Sequence, residues 1–422
     1  MGRFSIAWFR AKEVRVKTVS RWIPVALAWV MAGALACGSG DSTGPEVRAR
    51  RTTAVVGDSQ SAPTGTVLPI PLSFVVLDAG DVPLVGATVN WKVLSGSATL
   101  SALSSKTDSN GTAKTTVTLG SVIGPVVVQG TVGSVAPVTF NLSAVDPCSY
   151  AAPYTIGATV NGALTTGDCH VAITGAGSFY YDYYDFTVGS QQGVTATMTS
   201  TAFDTYLELF GGPDTAHFDL VGANNDISGT NTNSLVQAIL APGTYELGAN
   251  SNRTDATGSY TLTSVVRPQT ISGCQVLWVT RGIVVSDSVT TSDCATDFQG
   301  NAGHGDAVGI FLRTGSVIKI SEHSTAMNAQ LKLYRGDSLG ALAPVAINDD
   351  SAAGTTDAFI SYTVPNSNTF VIFIGSSGST QTGAYTFSIA STTTAAGSKA
   401  RPEPLRFPPM PSHWPLPAAR RN

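Results

Sequence analysis

Phe203-Asp204-Thr205-Tyr206-Leu207-Glu208-Leu209-Phe210 is answered, 124 residues later, by Met327-Asn328-Ala329-Gln330-Leu331-Lys332-Leu333-Tyr334. In both stretches apolar residues take alternate positions, Leu207 with Leu209 and Leu331 with Leu333, which is the period of a strand with one face in a core. The correspondence extends outward. Asn224-Asn225-Asp226 lines up with Asn348-Asp349-Asp350 at the same offset, and Gly258-Ser259-Tyr260-Thr261-Leu262 with Gly383-Ala384-Tyr385-Thr386-Phe387 at an offset of 125. Cys148 and Cys169 precede Cys274 and Cys294 by 126 and 125 residues. An internal repeat of this length outweighs any single motif, and it predicts two copies of one β-sandwich, over 146–266 and 267–390.

Upstream, residues 50–145 read as a further sandwich. Strand-like runs recur at 68–78, 88–93, 113–119, 126–132 and 135–142, divided by turn signals such as Asp78-Ala79-Gly80-Asp81 and Asp108-Ser109-Asn110-Gly111. Composition agrees with an all-β chain of tandem β-sandwiches. Only 12% of residues are charged while 43 are Gly, which argues against coiled coil and against charge-driven disorder. Proline at both junctions, near 145–147 and 266–268, ends the preceding strands and predicts separate folding units joined by short hinges. Residues 391–422 begin with a low-complexity Ser/Thr stretch and continue with seven Pro between 401 and 422, the composition of a disordered, Pro-rich tail.

The first 36 residues form a targeting segment. Arg3, Arg10, Lys12, Arg15, Lys17 and Arg21 precede a 15-residue apolar run, 22–36, which is short for a membrane span. The run closes on Ala34-Leu35-Ala36-Cys37 and is followed by Gly38-Ser39-Gly40-Asp41-Ser42-Thr43-Gly44, with 37–49 as a flexible tether. Small residues before a Cys and a polar stretch after it resemble a bacterial lipobox, although Ala34 stands where Leu is usual. The resemblance implies lipidation of Cys37, anchoring to a bacterial membrane through the N-terminal lipid and, with the non-acidic Gly38, sorting to the outer membrane or cell surface. Without the segment the chain keeps 18 of its 24 basic and 27 of its 28 acidic residues, a net charge near −9, which offers no electrostatic footprint for nucleic acid. An odd count of five Cys in an exported chain calls for an explanation, and Cys37 supplies it. The remaining pairs, Cys148 with Cys169 and Cys274 with Cys294, are expected as disulfides, each closing a short loop and contributing roughly 3 kcal/mol.

Two family resemblances follow. Val56-Gly57-Asp58-Ser59-Gln60, Pro69-Ile70-Pro71-Leu72, Gly86-Ala87-Thr88-Val89-Asn90-Trp91, Thr107-Asp108-Ser109-Asn110-Gly111-Thr112-Ala113 and Ala136-Pro137-Val138-Thr139-Phe140 resemble the bacterial Ig-like domains of the invasin/intimin type. That resemblance implies a stalk or spacer on a cell surface, and Trp91 at a strand position then belongs to the sandwich core. Tyr184-Asp185-Phe186, Phe203-Asp204-Thr205-Tyr206-Leu207, Ala241-Pro242-Gly243-Thr244-Tyr245 and Gly258-Ser259-Tyr260 resemble the bacterial pre-peptidase C-terminal domain. The second copy departs from that pattern, with Gly309 aligned to Asp185 and Asn328 to Asp204.

No catalytic constellation emerges. The five His make no HExxH pair, and Gly40-Asp41-Ser42-Thr43-Gly44, which matches a nucleophile elbow, lies in the tether rather than between a strand and a helix. The chain therefore reads as non-enzymatic and without an obligatory cofactor. Oxygen ligands for calcium are present in the first copy, where Asp185, Asp204 and Asp226, with Asn224, gather acids that the second copy keeps only at Asp350. The expected role is an anchored surface lipoprotein whose Ig-like stalk presents two sandwiches to an extracellular protein or polysaccharide. The alternative is an accessory substrate-binding subunit of a secreted hydrolase.

Overall fold

Strands such as Val138–Val145 alternate buried and open positions, while Thr205–Gly212 and Asn368–Ser376 are buried throughout. The computed structural model describes residues 48–212, 218–271, 277–296, 303–336, 344–378 and 381–392. The targeting segment, Cys37, Cys274 and the tail from 393 lie outside these residues. The chain is all-β, a tandem of β-sandwiches.

In the first sandwich a three-stranded sheet (Arg51–Val56, Leu72–Leu77, Thr112–Thr115) faces a five-stranded one (Ser61–Pro63, Val138–Val145, Gly124–Thr131, Thr88–Ser95, Ser104–Lys106). Leu72, Phe74 and Val76 point inward from one sheet, and Val126, Val128, Phe140 and Leu142 from the other. Trp91 is 3% exposed, between Phe74 at 5.3 Å and Phe140 at 6.0 Å, and donates its indole N–H to Ser105 Oγ at 2.9 Å. It is a core residue. Gly130 faces this group because a Cβ there would run into the Phe74 ring. The run at 113–119 is divided into Thr112–Thr115 and Val117–Leu119, which pair with different strands.

The two repeat copies share one strand plan. In the first, Ala152–Pro153, Gly177–Val188, Gly243–Ser251, Thr205–Gly212 and Asp219–Asn224 form one sheet, and Thr159–Leu164, Gly258–Arg267, Gln192–Thr199 and Ser234–Leu240 the other. In the second, the counterparts are Leu277–Val279, Gly303–Leu312, Asn368–Ser376, Ala329–Arg335 and Ala346–Asn348, opposite Val284–Val289, Gly383–Thr392, Val317–His323 and Ala358–Thr363. Leu207, Leu209, Leu331 and Leu333 are all buried. The final strand continues through Ser391 and Thr392, which pair with Ile318 and Val317, so these two residues belong to the sandwich and not to the tail. The Cys148–Cys169 disulfide is formed, with Cα atoms 4.4 Å apart, and ties the turn Pro147–Ser149 to the strand Cys169–Ile173.

The expected hinge near 266–268 is replaced by a seam. Leu277–Val279 pairs in parallel with Gly303–Leu312 of its own copy and also with Ser234–Leu240 of the preceding one (Ala238 with Trp278, Ile239 with Val279). A single ten-stranded sheet therefore runs through both copies. Trp278, 7% exposed, joins the core of the first copy, while Ile239 and Ala241 join the core of the second. Gly222 makes room for it, since a Cβ there would fall inside the indole. Thr280 Oγ1 accepts the Ala241 N–H at 2.8 Å, and Gln191 accepts from the Val284 N–H at 2.9 Å. Asp219 of the first copy accepts from Arg281 at 2.9 Å and from Arg313, both from the second copy. Hydrophobic burial, a shared ladder and an ion triad make the junction continuous rather than jointed.

The equivalent leading strand of the first copy, Ala152–Pro153, pairs only with Gly177–Val188. Tyr154 donates its N–H toward that strand at 2.7 Å, so the nitrogen of Pro153, which Trp278 replaces in the second copy, faces the other way and carries no hydrogen.

Candidate functional site

Asp204 and Asp226 converge at one end of the first copy. Asp204 ends the loop before Thr205–Gly212, held by Asn252, whose side-chain amide donates to Oδ2 at 3.2 Å. Asp226 follows the strand Asp219–Asn224, and Asn225 donates to its Oδ2 at 2.8 Å. Burial and then the negative charge of Asp204 push the Asp226 carboxyl above its ordinary value. Asp204 Oδ1, Asn225 Oδ1 and Asp226 Oδ1 are all buried without a hydrogen-bond partner. Three acceptor oxygens in one corner, with no donor aimed at them, form an electronegative pocket.

Asp185 is not part of it. Its side chain is exposed, and its register partner on Gly243–Ser251 is Glu246, whereas Asp204 bonds Asn252 just past the far end of that strand. At about 3.3 Å per residue the two acids are roughly 20 Å apart. Asn224 is also committed elsewhere, its Oδ1 accepting from the Leu235 N–H at 2.8 Å. Among the described residues no three of His, Cys, Asp and Glu group closely enough to hold a metal ion by themselves. The partly buried oxygen of Asn225 is the ligand type that the acid pattern overlooks.

Beside this corner lies a groove of about 560 Å³, lined by Asn161, Thr199, Ser200, Asn233, Ser259 and Thr261 among others. Its walls carry hydroxyls and amides and no formal charge. Ser200 Oγ donates to the Ser259 carbonyl at 2.8 Å and Asn233 Oδ1 accepts the Ser200 N–H at 3.1 Å, which fixes the loop 199–204 against its neighbours. Neutral donors and acceptors on a rigid wall suit an uncharged polyhydroxylated ligand or a peptide backbone.

A second polar feature repeats in both copies. Tyr260 donates to Asp182 Oδ2 at 2.6 Å and shares a 2.5 Å contact with the Tyr184 hydroxyl. Tyr385 donates to Asp306 Oδ2 at 2.7 Å. Burial, then the charge of Asp168, pushes Asp182 up to about 7 against the opposing effect of the Tyr260 bond. Burial dominates at Asp306 too, carrying it to about 8 despite the Tyr385 bond. The pairs Asp182/Asp306 and Tyr260/Tyr385 follow the repeat offsets, the one signal by which the sequence marks them.

Residues 52–143 match the family described as Bacterial Ig-like domain (group 1). Among solved structures, the D00-D0 domain of intimin shares 25% identity over 24% of this chain and 48% of its own, with a TM-score of 0.20. Invasin, described as a bacterial integrin-binding protein, shares 14% over 81% of this chain and 60% of its own, with a TM-score of 0.19. InvD of Yersinia pseudotuberculosis shares 11% over 80% and 84%, with a TM-score of 0.17. The chain thus spans about half of the intimin fragment, and TM-scores this low relate no whole structure to it. No curated protein matches the sequence.

Proposed function

We propose that this chain is a non-catalytic lipoprotein of the bacterial surface, tethered through Cys37, in which the Ig-like domain spaces a rigid pair of sandwiches away from the membrane to bind an extracellular ligand. The observation that carries this is the match of 52–143 to the bacterial Ig-like domain, set directly between a lipobox-like segment and the twin repeat. The first repeat copy is read as a pre-peptidase C-terminal-like domain and the second as a divergent one. The loop end of the first copy, with its uncharged groove, is the proposed binding surface. The same lining favours a polysaccharide over a charged partner, which keeps the accessory subunit of a secreted hydrolase as the second reading.

Fractionation and binding test this together. The wild-type protein is expected in the detergent phase and the Cys37→Ser variant in the soluble phase, because stable anchoring takes more than one acyl chain. The soluble variant is then offered whole cells and insoluble polysaccharides. Retention on cells supports adhesion, retention on a polymer supports the accessory role, and retention on neither overturns both.

Calcium is the cation proposed for the corner, with Asp204, Asp226 and Asn225 Oδ1 as ligands and Asp185 excluded. Calcium is expected to raise the melting temperature of the whole protein in proportion to the logarithm of its concentration, and Asp204→Asn to remove the rise. Equal melting in calcium and in chelator would leave these residues as turn formers.

A further inference from the structure

We propose that the second sandwich is a pH-controlled latch on the first, in which ionisation of an acid pair inside its core, Asp306 and Glu322, loosens it and frees the joining strand Leu277–Val279.

The pair is out of place for a structural core. Asp306 is 0% exposed and Glu322 1% exposed. They come from different sheets, Asp306 from Gly303–Leu312 and Glu322 from Val317–His323, where Glu322 follows Ile318 and Ile320 on the inward face. Asp306 Oδ1 and both carboxyl oxygens of Glu322 are buried with no hydrogen-bond partner. Asp306 has one donor, the Tyr385 hydroxyl, and the Gly375 amide lies near Glu322, where it opposes the larger effect of burial without cancelling it. An ionised carboxylate so enclosed is strongly unfavourable unless a cation or several donors meet it.

The surrounding charges make matters worse. Asp293 and Asp287 act on Asp306, and Asp306 and Asp357 act on Glu322. His323 turns outward to Asp357 Oδ1 at 2.7 Å, and His304 to the Asp293 carbonyl at 3.1 Å. Lys319, on the strand of Glu322, is exposed. Tyr385 is itself held protonated by burial and by these acids. In the folded state both carboxyls are therefore neutral at mildly acidic pH, and burial lifts Glu322 well above its ordinary range. Folded values above unfolded ones mean stability that is complete below about pH 4 and is lost as pH rises toward the folded values.

The first copy is built differently. Met198 stands at the place of Glu322, buried at 0% exposure, so Asp182, the counterpart of Asp306, has no acid opposite it at that position. The loosened copy is also the one that carries the seam. Asp306 lies two positions from Val308, the partner of Leu277. Loss of order around Asp306 thus reaches the strand that holds Trp278 against Gly222.

Hydrogen–deuterium exchange of the intact protein at pH 5.5 and 8.5, corrected for intrinsic rates, tests the latch. Protection of Leu277–Val279 and Gly303–Leu312 is expected to fall at least tenfold at pH 8.5, while Gln192–Thr199 of the first copy changes far less. Glu322→Met, which installs the residue of the first copy, and the shape-preserving Glu322→Gln are each expected to reduce that fall. Equal protection at both pH values in the wild type, or an unchanged fall in both variants, overturns the proposal.

Discussion

Trp278→Ala is expected to destabilise both repeat copies together, by about 3–5 kcal/mol, the usual cost of removing a large buried aromatic. The indole belongs to the core of the first copy although its backbone belongs to the second, so the cavity opens on one side of the seam and the ladder weakens on the other. Denaturant titration should show a lower midpoint, and exchange protection should fall in both Ser234–Leu240 and Gly303–Leu312. A loss confined to the second copy would mean that the copies fold independently and that the shared sheet is incidental.

Asp219→Ala is the other large effect. The carboxylate is 9% exposed and receives Arg281, itself 16% exposed, and Arg313, 35% exposed. Removing it leaves one guanidinium nearly buried without a counter-charge, a loss of about 3 kcal/mol at the low end of values for broken buried pairs, because Arg313 can turn to solvent. Asp219→Asn keeps acceptor geometry without the charge and should fall between the two. If Asp219→Ala alters the denaturation midpoint by less than Asp219→Asn does, the triad is not what stabilises the junction.

The repeat, the sandwich plan and the inward leucines were legible in sequence because the two-residue period is strong where strands are long. Trp91 was legible for the same reason, as was the Cys148–Cys169 pairing from spacing within the repeat. The seam was not, since Leu277–Val279 is three residues long and carries no period, and Pro in the linker points to a hinge. Of the three acids expected to gather for a cation, two come together. Asp204 and Asp226 converge, but Asp185, near in the motif, is separated from them by the length of a strand. Glu322 offered a cue that polarity hides: it continues the inward series Ile318, Ile320, and only the period, not the residue type, marks it as buried.

The missing amide hydrogen at Pro153 bears on how many molecules can join. Separate molecules could in principle chain end to end by the same geometry, the leading strand of one adding to the free edge Ala358–Thr363 of another, which pairs on one side only. The leading strand that a neighbour would offer is Ala152–Pro153, and its outward position has nothing to donate. Filament growth by that route is therefore blocked at the donor.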